Sequence, residues 1–214
     1  MIFHGFIQAG GRSTRFGEDK ALVKLRGKTM LEHTGELLAS VCHDVKIVAA
    51  PGRYNDSRWP VLMDRWPGEG PLGGILTALH SINESAGAHQ TKDKGDCAFS
   101  FALILSCDMP FLTADFLRFL TDRALKSEAQ VIVPEYAERL EPLCACWSAA
   151  SLPTVQTAFD SGVRKVTQAM KQLPMEVLDE SAWKRFDTNG RLFWNMNTAA
   201  DFVEARRILE APER

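Results

Sequence analysis

Glycines and cations are concentrated in one stretch near the amino terminus of this sequence. Gly10 and Gly11 follow the first apolar segment, and residues 10–28 hold six basic side chains against two acidic ones. Glycine lets backbone amides approach a phosphate group closely, and basic side chains neutralise its charge. The stretch therefore predicts a phosphate-binding loop, with a solvated surface turn as the alternative. Its basic residues are Arg12, Arg15, Lys20, Lys24, Arg26 and Lys28.

An aspartate follows a second apolar segment, which runs from Phe99 to Leu105. Because this segment is apolar except for Ser100, it predicts a strand covered on both faces, and Asp108 is then expected at the carboxyl edge of the sheet. A carboxylate in that position suits Mg²⁺, which binds carboxylate and phosphate oxygens, and a turn or helix cap is the alternative. Asp64 follows a shorter apolar run, where a turn-forming role is favoured.

The remaining reactive side chains form no recognised catalytic pattern. The five histidines lack a metal-binding spacing, and the sequence has no G-x-S-x-G elbow. The five cysteines include no C-x-x-C pair, which indicates free thiols in a reducing compartment, and Cys107 is predicted to be a core thiol. Residues 68–73 match G-x-G-x-x-G, but Pro71 stiffens the turn and no acidic strand follows, so a dinucleotide cofactor is not predicted.

Strands and helices alternate along the first 134 residues. The spacing of apolar residues predicts helices that begin near Thr29, Ile75 and Thr113, the first of them with a capping box. Loops are predicted at Pro67–Gly74 and Asn83–Asp96. This alternation indicates crossover units, and therefore a three-layer α/β fold with a mostly parallel, doubly wound sheet. The predicted strands are Ile2–Gln8, Val45–Ala50, Val61–Met63, Phe99–Leu105 and Gln130–Val133.

Composition excludes several classes of protein. The 214 residues are 45% hydrophobic and 24% charged, with a net charge of −2, which is typical of one soluble globular domain. These values argue against a disordered chain and against a protein that coats nucleic acid. The sequence shows neither a signal peptide nor an apolar run long enough to span a membrane, so a cytoplasmic protein is expected. Four aromatic residues are predicted to pack in the core: Trp183, Phe186, Phe193 and Trp194.

Four motifs together resemble a known family. Residues 8–20 are similar to the nucleotidyltransferase signature L-x-A-G-G-x-S-x-R-M-G-x-D-K, with Phe16 in place of Met. Residues 70–74 (Gly-Pro-Leu-Gly-Gly), 107–110 (Cys-Asp-Met-Pro) and 195–198 (Asn-Met-Asn-Thr) extend the similarity over most of the chain. In order and spacing they resemble the molybdenum cofactor guanylyltransferases, which join GMP from GTP to molybdenum-molybdopterin. The resemblance implies a Rossmann-like nucleotidyltransferase fold in a single domain, residues 1–214.

The resemblance also implies where the nucleotide binds. Lys20 is expected to contact its phosphates, Asp108 to bind both Mg²⁺ and the nucleotide, and Arg15 to assist the leaving pyrophosphate. These three are the catalytic residues that the resemblance implies, and Mg²⁺, held by Asp108, is the implied cofactor. The implied nucleotide-binding residues are Gln8, Ala9, Gly10, Gly11, Lys20, Asp64 and Asp108.

The acceptor is expected to lie against the last part of the chain. Residues 1–134 are interpreted as the nucleotide-binding part and residues 135–214 as the acceptor-binding part. Arg164, Asn195 and Asn197 are expected to contact molybdopterin, and a stacking wall for the pterin is the alternative role of the aromatic residues. Molybdoenzymes or their chaperones are further partners that the resemblance suggests, whereas nucleic acid and membranes are not expected.

Two departures from the family pattern affect these expectations. Residues 49–52 (Ala-Ala-Pro-Gly) lack an asparagine that often contacts the nucleotide in the family, and this difference weakens the prediction of guanine. Ala199 replaces a proline that commonly follows the last motif, and little consequence is expected because the start of a helix tolerates alanine. The alternatives are a cytidylyltransferase for the same pterin, a sugar-phosphate nucleotidyltransferase and a nucleotide-binding protein without catalysis. The glycine pair 10–11 favours guanine, since cytidylyl relatives more often carry Ala-Ala-Gly. Intact Lys20 and Asp108 argue against a loss of catalysis.

Overall fold

Ten strands form two sheets in this protein, whose structure is a computed structural model that describes residues 1–9, 19–88 and 100–210. The strands are β1 (Ile2–Gln8), β2 (Lys24–Leu25), β3 (Lys28–Thr29), β4 (Asp44–Ala49), β5 (Val61–Met63), β6 (Ser100–Ser106), β7 (Val131–Tyr136), β8 (Arg139–Leu140), β9 (Cys144–Ser148) and β10 (Met175–Leu178). The central sheet has the order β5-β4-β1-β6-β9-β7-β10, with β8 paired to β7. β2 and β3 form a separate antiparallel ribbon.

The central sheet is mostly parallel, as the sequence predicts. β5, β4, β1 and β6 pair in parallel, and so do β7 and β10. β9 lies between β6 and β7 and is antiparallel to both. Every residue of β9 is buried, which places a continuous apolar strand inside the sheet rather than at its edge.

Helices cover both faces of the sheet and complete three layers. Side chains alternate between the faces, so that Ile7 packs towards α1 and α3 whereas Phe6 packs towards α2, α4 and α5. The predicted three-layer α/β fold is therefore confirmed. The helices are α1 (Met30–Ala39), α2 (Pro71–Ala88), α3 (Ala114–Lys126), α4 (Leu152–Asp160), α5 (Val166–Met170), α6 (Glu180–Trp183) and α7 (Ala199–Leu209).

Helix α2 is longer than the sequence predicts at both ends. It begins at Pro71, because proline fits the first helical position, so the predicted loop Pro67–Gly74 is wrong for its second half. It continues to Ala88, so the loop prediction is also wrong for residues 83–88. Two polar side chains there bond to the helix itself: Asn83 donates to the carbonyl of Leu79 at 2.9 Å, and Ser85 donates to that of Ser81 at 2.8 Å. Residues 89–96 of the predicted loop lie outside the described residues.

Local signals at other helix starts are confirmed. Thr29 and Glu32 form the predicted capping box of α1, and the Thr113 side chain accepts a hydrogen bond from the first turn of α3. The predicted aromatic packing is confirmed for Trp183 and Phe193, which are buried with perpendicular rings 4.8 Å apart. Phe186 and Trp194 are only half-buried, and Trp194 packs against Phe111 in a separate cluster. In the described part of the chain, we find no helix with the length and hydropathy needed to span a membrane.

Candidate active site

The carboxyl ends of β1 and β6 lie side by side and form the centre of the candidate site. The strand register pairs Gln8 with Ser106, so Ala9 and Asp108 both follow at the same edge of the sheet. The buried Gln8 side chain donates to the carbonyl of Pro71 at 2.8 Å, which joins this edge to the start of α2. In an open parallel sheet, ligands bind beyond such strand ends.

A short segment near the carboxyl terminus connects Lys20 to Asp108. Lys20 Nζ donates to Asn197 Oδ1 at 3.1 Å, and the amide of Met196 donates to the carbonyl of Asp108 at 2.8 Å. The carboxylate of Asp201 accepts hydrogen bonds from the amides of Asn197 and Thr198, which fixes this segment against the start of α7. The structure thus brings Lys20, Asp108 and Asn197 to one edge of the sheet.

Asp108 shares this edge with a second acid, Glu141, in the turn between β8 and β9. Burial, followed by the negative charge of Asp108, raises the pKa of Glu141 to about 7, and a hydrogen bond with Asn195 opposes this change. Sequence reasoning missed Glu141, because one acidic residue before a Pro-Leu pair has no spacing that indicates a site. Two carboxyl groups and an amide therefore lie close together at the end of β6.

The oxygen atoms around Asp108 fit a magnesium ion. Asp108 Oδ1 is buried and accepts no hydrogen bond from the described residues. A buried carboxylate oxygen is therefore left without a donor in this part of the structure. Mg²⁺ prefers carboxylate oxygens and substrate phosphates to a cage made only of protein ligands. No group of three or more His, Cys, Asp or Glu residues in the described part of the chain is arranged to hold a metal.

The cysteine next to Asp108 is unsuited to act as a nucleophile. Cys107 is buried, and burial, followed by the charges of Asp108 and Asp19, raises its pKa to about 12. Because the thiolate is the reactive form, this thiol is inert near neutral pH. Its predicted role as a core thiol agrees with this environment.

Two residues that the resemblance assigns to the site have other partners here. The Asp64 carboxylate accepts hydrogen bonds from the Trp66 amide at 3.0 Å and from the Thr77 hydroxyl at 3.1 Å, at the end of an edge strand two positions from β1. Arg164 forms an ion pair with Glu69 and lies 3.9 Å from the centroid of the Phe159 ring. Their predicted roles stay predictions, as do those of Gly10, Gly11 and Arg15, which lie outside the described residues.

A network beside Lys20 was also missed by sequence reasoning. The carboxylate of Asp19 accepts hydrogen bonds from the Arg53 guanidinium and, at 2.8 Å, from the Tyr54 hydroxyl. Arg53 and Tyr54 follow residues 49–52, the stretch that lacks the asparagine of the family pattern. Their side chains enter the site from the connection between β4 and β5.

Gly74 is predicted to be intolerant of alanine, although it lies within a helix. A Cβ atom there would lie 2.1 Å from Gln8 Nε2, so the Gln8 side chain would have to leave the Pro71 carbonyl. Gly→Ala within a helix is ordinarily stabilising by roughly 0.5–1 kcal/mol, whereas overpacking costs about 1–3 kcal/mol. We therefore expect Gly74→Ala to lower the free energy of unfolding, measured by urea denaturation.

The matched control removes the obstructing amide. If the collision with Gln8 is the cause, Gln8→Ala combined with Gly74→Ala should be more stable than Gly74→Ala alone. A single variant as stable as the wild type would contradict the close approach.

Comparison with known proteins supports one family. Residues 5–174 match the MobA-like NTP transferase domain. The chain is 31% identical to the molybdenum cofactor guanylyltransferase of Desulfosudis oleivorans, over 97% of this chain and 96% of that protein. It is 27% identical to the molybdenum cofactor guanylyltransferase of Syntrophotalea carbinolica, over 94% of this chain and 89% of that protein.

Solved structures confirm the nucleotidyltransferase-like fold. Molybdopterin-guanine dinucleotide biosynthesis protein A from Archaeoglobus fulgidus superposes with a TM-score of 0.78 at 22% identity, covering 96% of this chain and 97% of that one. The 2-C-methyl-D-erythritol 4-phosphate cytidylyltransferase of Thermus thermophilus gives a TM-score of 0.63 at 14% identity, covering 96% and 98%. At these identities the similarity establishes the architecture, which is the Rossmann-like three-layer fold that the sequence predicts.

Proposed function

The chain belongs to the family of MobA-like NTP transferases, and we propose that it transfers GMP from GTP to molybdenum-molybdopterin with release of pyrophosphate. Two relatives that align with at least 94% of this chain carry the name molybdenum cofactor guanylyltransferase. The observation that carries the proposal is the connection of Lys20 to the backbone of Asp108 through residues 196 and 197, because it places a lysine and an aspartate at one edge of the sheet, beyond the ends of β1 and β6. Such an arrangement suits a nucleoside triphosphate and its metal ion.

The proposed reaction needs no strong base. An oxygen of the terminal phosphate of molybdopterin forms a bond to the α-phosphorus of GTP, and the bond from that phosphorus to the oxygen bridging the β-phosphate breaks. The electron pair leaves with pyrophosphate. Because a phosphate oxygen is already nucleophilic at neutral pH, the protein's work is alignment and charge neutralisation. The inert thiol of Cys107 agrees with this mechanism.

Residues at the carboxyl ends of β1 and β6 are proposed to hold the nucleotide. Lys20 binds the phosphate chain, the backbone of Gln8 and Ala9 lines the site, and Asp108 holds Mg²⁺ through the buried oxygen that lacks a partner among the described residues. When bound, Mg²⁺ neutralises charge on the phosphate oxygens of GTP. Glu141 lies at the same edge of the sheet and keeps Asn195 in place through their hydrogen bond.

The acceptor side is proposed to involve residues from the last part of the chain. Asn195 and Asn197 lie beside Asp108 and Lys20, so a pterin phosphate bound there is close to the reacting end of the nucleotide. Arg15 and Arg164 are proposed to assist the leaving pyrophosphate and the acceptor, respectively. In this proposal residues 1–134 mainly serve the nucleotide and residues 135–214 the acceptor, and molybdoenzymes or their chaperones receive the product.

Pyrophosphate release with each of GTP, CTP, UTP and ATP tests the proposal. We expect release with GTP only when molybdopterin and Mg²⁺ are both present, and little release with the other nucleotides. Preferential use of CTP would instead support cytidylyl transfer. Binding of GTP without release under any of these conditions would support a non-catalytic role.

A further inference from the structure

Tyr54 connects the two chain segments on either side of residues 10–18. Its hydroxyl donates to Asp19 Oδ2 at 2.8 Å and lies 3.3 Å from the carbonyl oxygen of Ala9. Burial, together with the hydrogen bond to Asp19, raises the pKa of Tyr54, so the hydroxyl keeps its proton at neutral pH. One phenol group therefore joins the end of β1 to the residue that precedes Lys20.

Asp19 transmits this contact to Lys20. Its other carboxylate oxygen accepts from the amide of Ala21 at 3.1 Å and so caps the short 3-10 turn Lys20–Leu22. The Arg53 guanidinium pairs with the same carboxylate and lies 4.9 Å from the centroid of the Tyr54 ring. Arg53 thereby offsets a negative charge that would otherwise repel phosphates close to Lys20.

The backbone of Tyr54 has an unusual conformation that supports a specific role. Its φ angle is +58°, in the left-handed region that bulky residues rarely occupy. The other non-glycine residues with positive φ in the described part of the chain are Arg26, Ala137 and Glu138, which form the hairpin turns between β2 and β3 and between β7 and β8. Such hairpin turns require this conformation, whereas Tyr54 lies outside a hairpin.

We propose that Tyr54, together with Arg53, is a positioning residue for Lys20. The two side chains hold Asp19, and hence the 3-10 turn that begins at Lys20, in register with the end of β1. The inference rests on the proposed function, because it assumes that Lys20 binds the triphosphate. Tyr54 and Arg53 both lie outside the four sequence motifs. They act on the reaction through the location of the lysine and do not touch the reacting atoms.

A double-mutant cycle tests this role. The kinetics of pyrophosphate release from GTP are measured for the wild type, Tyr54→Phe, Lys20→Ala and the double variant. We expect Tyr54→Phe alone to lower kcat/KM for GTP by at least about tenfold, since a shifted lysine loses its alignment with the phosphates. In the Lys20→Ala background, the same change should alter kcat/KM by less than about twofold, because the group that it positions is already absent.

The second tyrosine of the chain provides a matched control. Tyr136 packs against Trp183 with ring centroids 6.0 Å apart, and Tyr136→Phe removes the same hydroxyl from a packed ring without an expected effect on kcat/KM. Thermal unfolding of Tyr54→Phe and Tyr136→Phe shows whether the lower kcat/KM of Tyr54→Phe reflects lower stability alone. If Tyr54→Phe does not fold, Arg53→Gln replaces it in the cycle, with the same expected dependence on Lys20.

The outcomes separate this inference from the proposed function. Unchanged kinetics of Tyr54→Phe, or losses that multiply in the double variant, would overturn the positioning role while guanylyl transfer stands. A wild type that uses another nucleotide contradicts guanylyl transfer, and the cycle run with that nucleotide then decides the role of Tyr54. If no pyrophosphate is released, the affinity for Mg²⁺-GTP, measured by calorimetry on the same variants, decides it.

Discussion

Lys20→Ala is expected to lower kcat/KM for GTP by about a hundred- to a thousand-fold. The ammonium group is proposed to neutralise charge that develops as pyrophosphate leaves, and loss of one such contact typically costs roughly 3–4 kcal/mol of transition-state stabilisation. Lys20→Arg should recover only part of the activity, because a guanidinium keeps the charge but not the compact ammonium geometry. Initial rates of pyrophosphate release at varied GTP concentration measure both effects.

The control for charge is an exposed lysine elsewhere on the protein. Lys171 is the exposed residue that follows α5 as its C-cap. Lys171→Ala changes the net charge by the same amount as Lys20→Ala, without an expected loss of activity. Thermal unfolding also belongs in the comparison, since Lys20→Ala removes the bond to Asn197 as well. Turnover of Lys20→Ala close to that of the wild type would reject the proposed role of Lys20.

Asp108→Asn should reduce kcat about a thousand-fold and raise the Mg²⁺ concentration needed for half-maximal rate. The substitution keeps the shape of the side chain and removes its negative charge, so a metal-binding role predicts a large loss of activity in a folded protein. Stability should not fall, because the charge of Asp108 opposes the ionisation of the adjacent Glu141. Mg²⁺ titrations of the rate measure the metal requirement, and thermal unfolding in EDTA measures stability without the metal, so that a loss of metal binding is distinguished from a loss of folding.

Metal removal gives an independent check on the same site. EDTA is expected to abolish pyrophosphate release by the wild type, and added Mg²⁺ to restore it. Asp115→Asn serves as the matched variant. This exposed aspartate lies in the first turn of α3 and, among the described residues, forms an ion pair with Arg118. Activity of the wild type in EDTA, or an unchanged Mg²⁺ requirement in Asp108→Asn, would contradict the assignment of Asp108.

The sequence predicts the parts of the structure that depend on local patterns. The capping box at Thr29 follows from side chains three residues apart, and the buried strand β6 follows from an almost unbroken apolar run. Because β1 and β6 are parallel neighbours, the placement of Asp108 near the end of β1 follows from topology. The capping box and the buried strand need no knowledge of distant contacts, whereas the pairing of β1 with β6 joins segments far apart in the chain.

Other features depend on contacts that no local pattern encodes. Tyr54 meets Asp19, which lies 35 positions earlier in the sequence, and Glu141 meets Asn195 only because the chain returns to the end of β6. The end of α2 was missed for a different reason, since the polar side chain of Asn83 indicates a loop unless its bond to the helix backbone is known. Tertiary contacts therefore decide where Tyr54 and Glu141 meet their partners, whereas the end of α2 depends on side-chain bonds within the helix.

The position of β9 in the sheet has a consequence for the folding of this chain during its synthesis on the ribosome. This strand lies between β6 and β7 but follows both in the chain, so the two earlier strands emerge from the ribosome without the partner that later separates them. Unpaired apolar strands invite association between nascent chains, and pairings distant in sequence form slowly. A translation product that stops before residue 144 therefore carries Lys20 and Asp108 on a sheet that lacks a central strand, and we expect it to be cleared by proteolysis rather than to persist as a partly active enzyme.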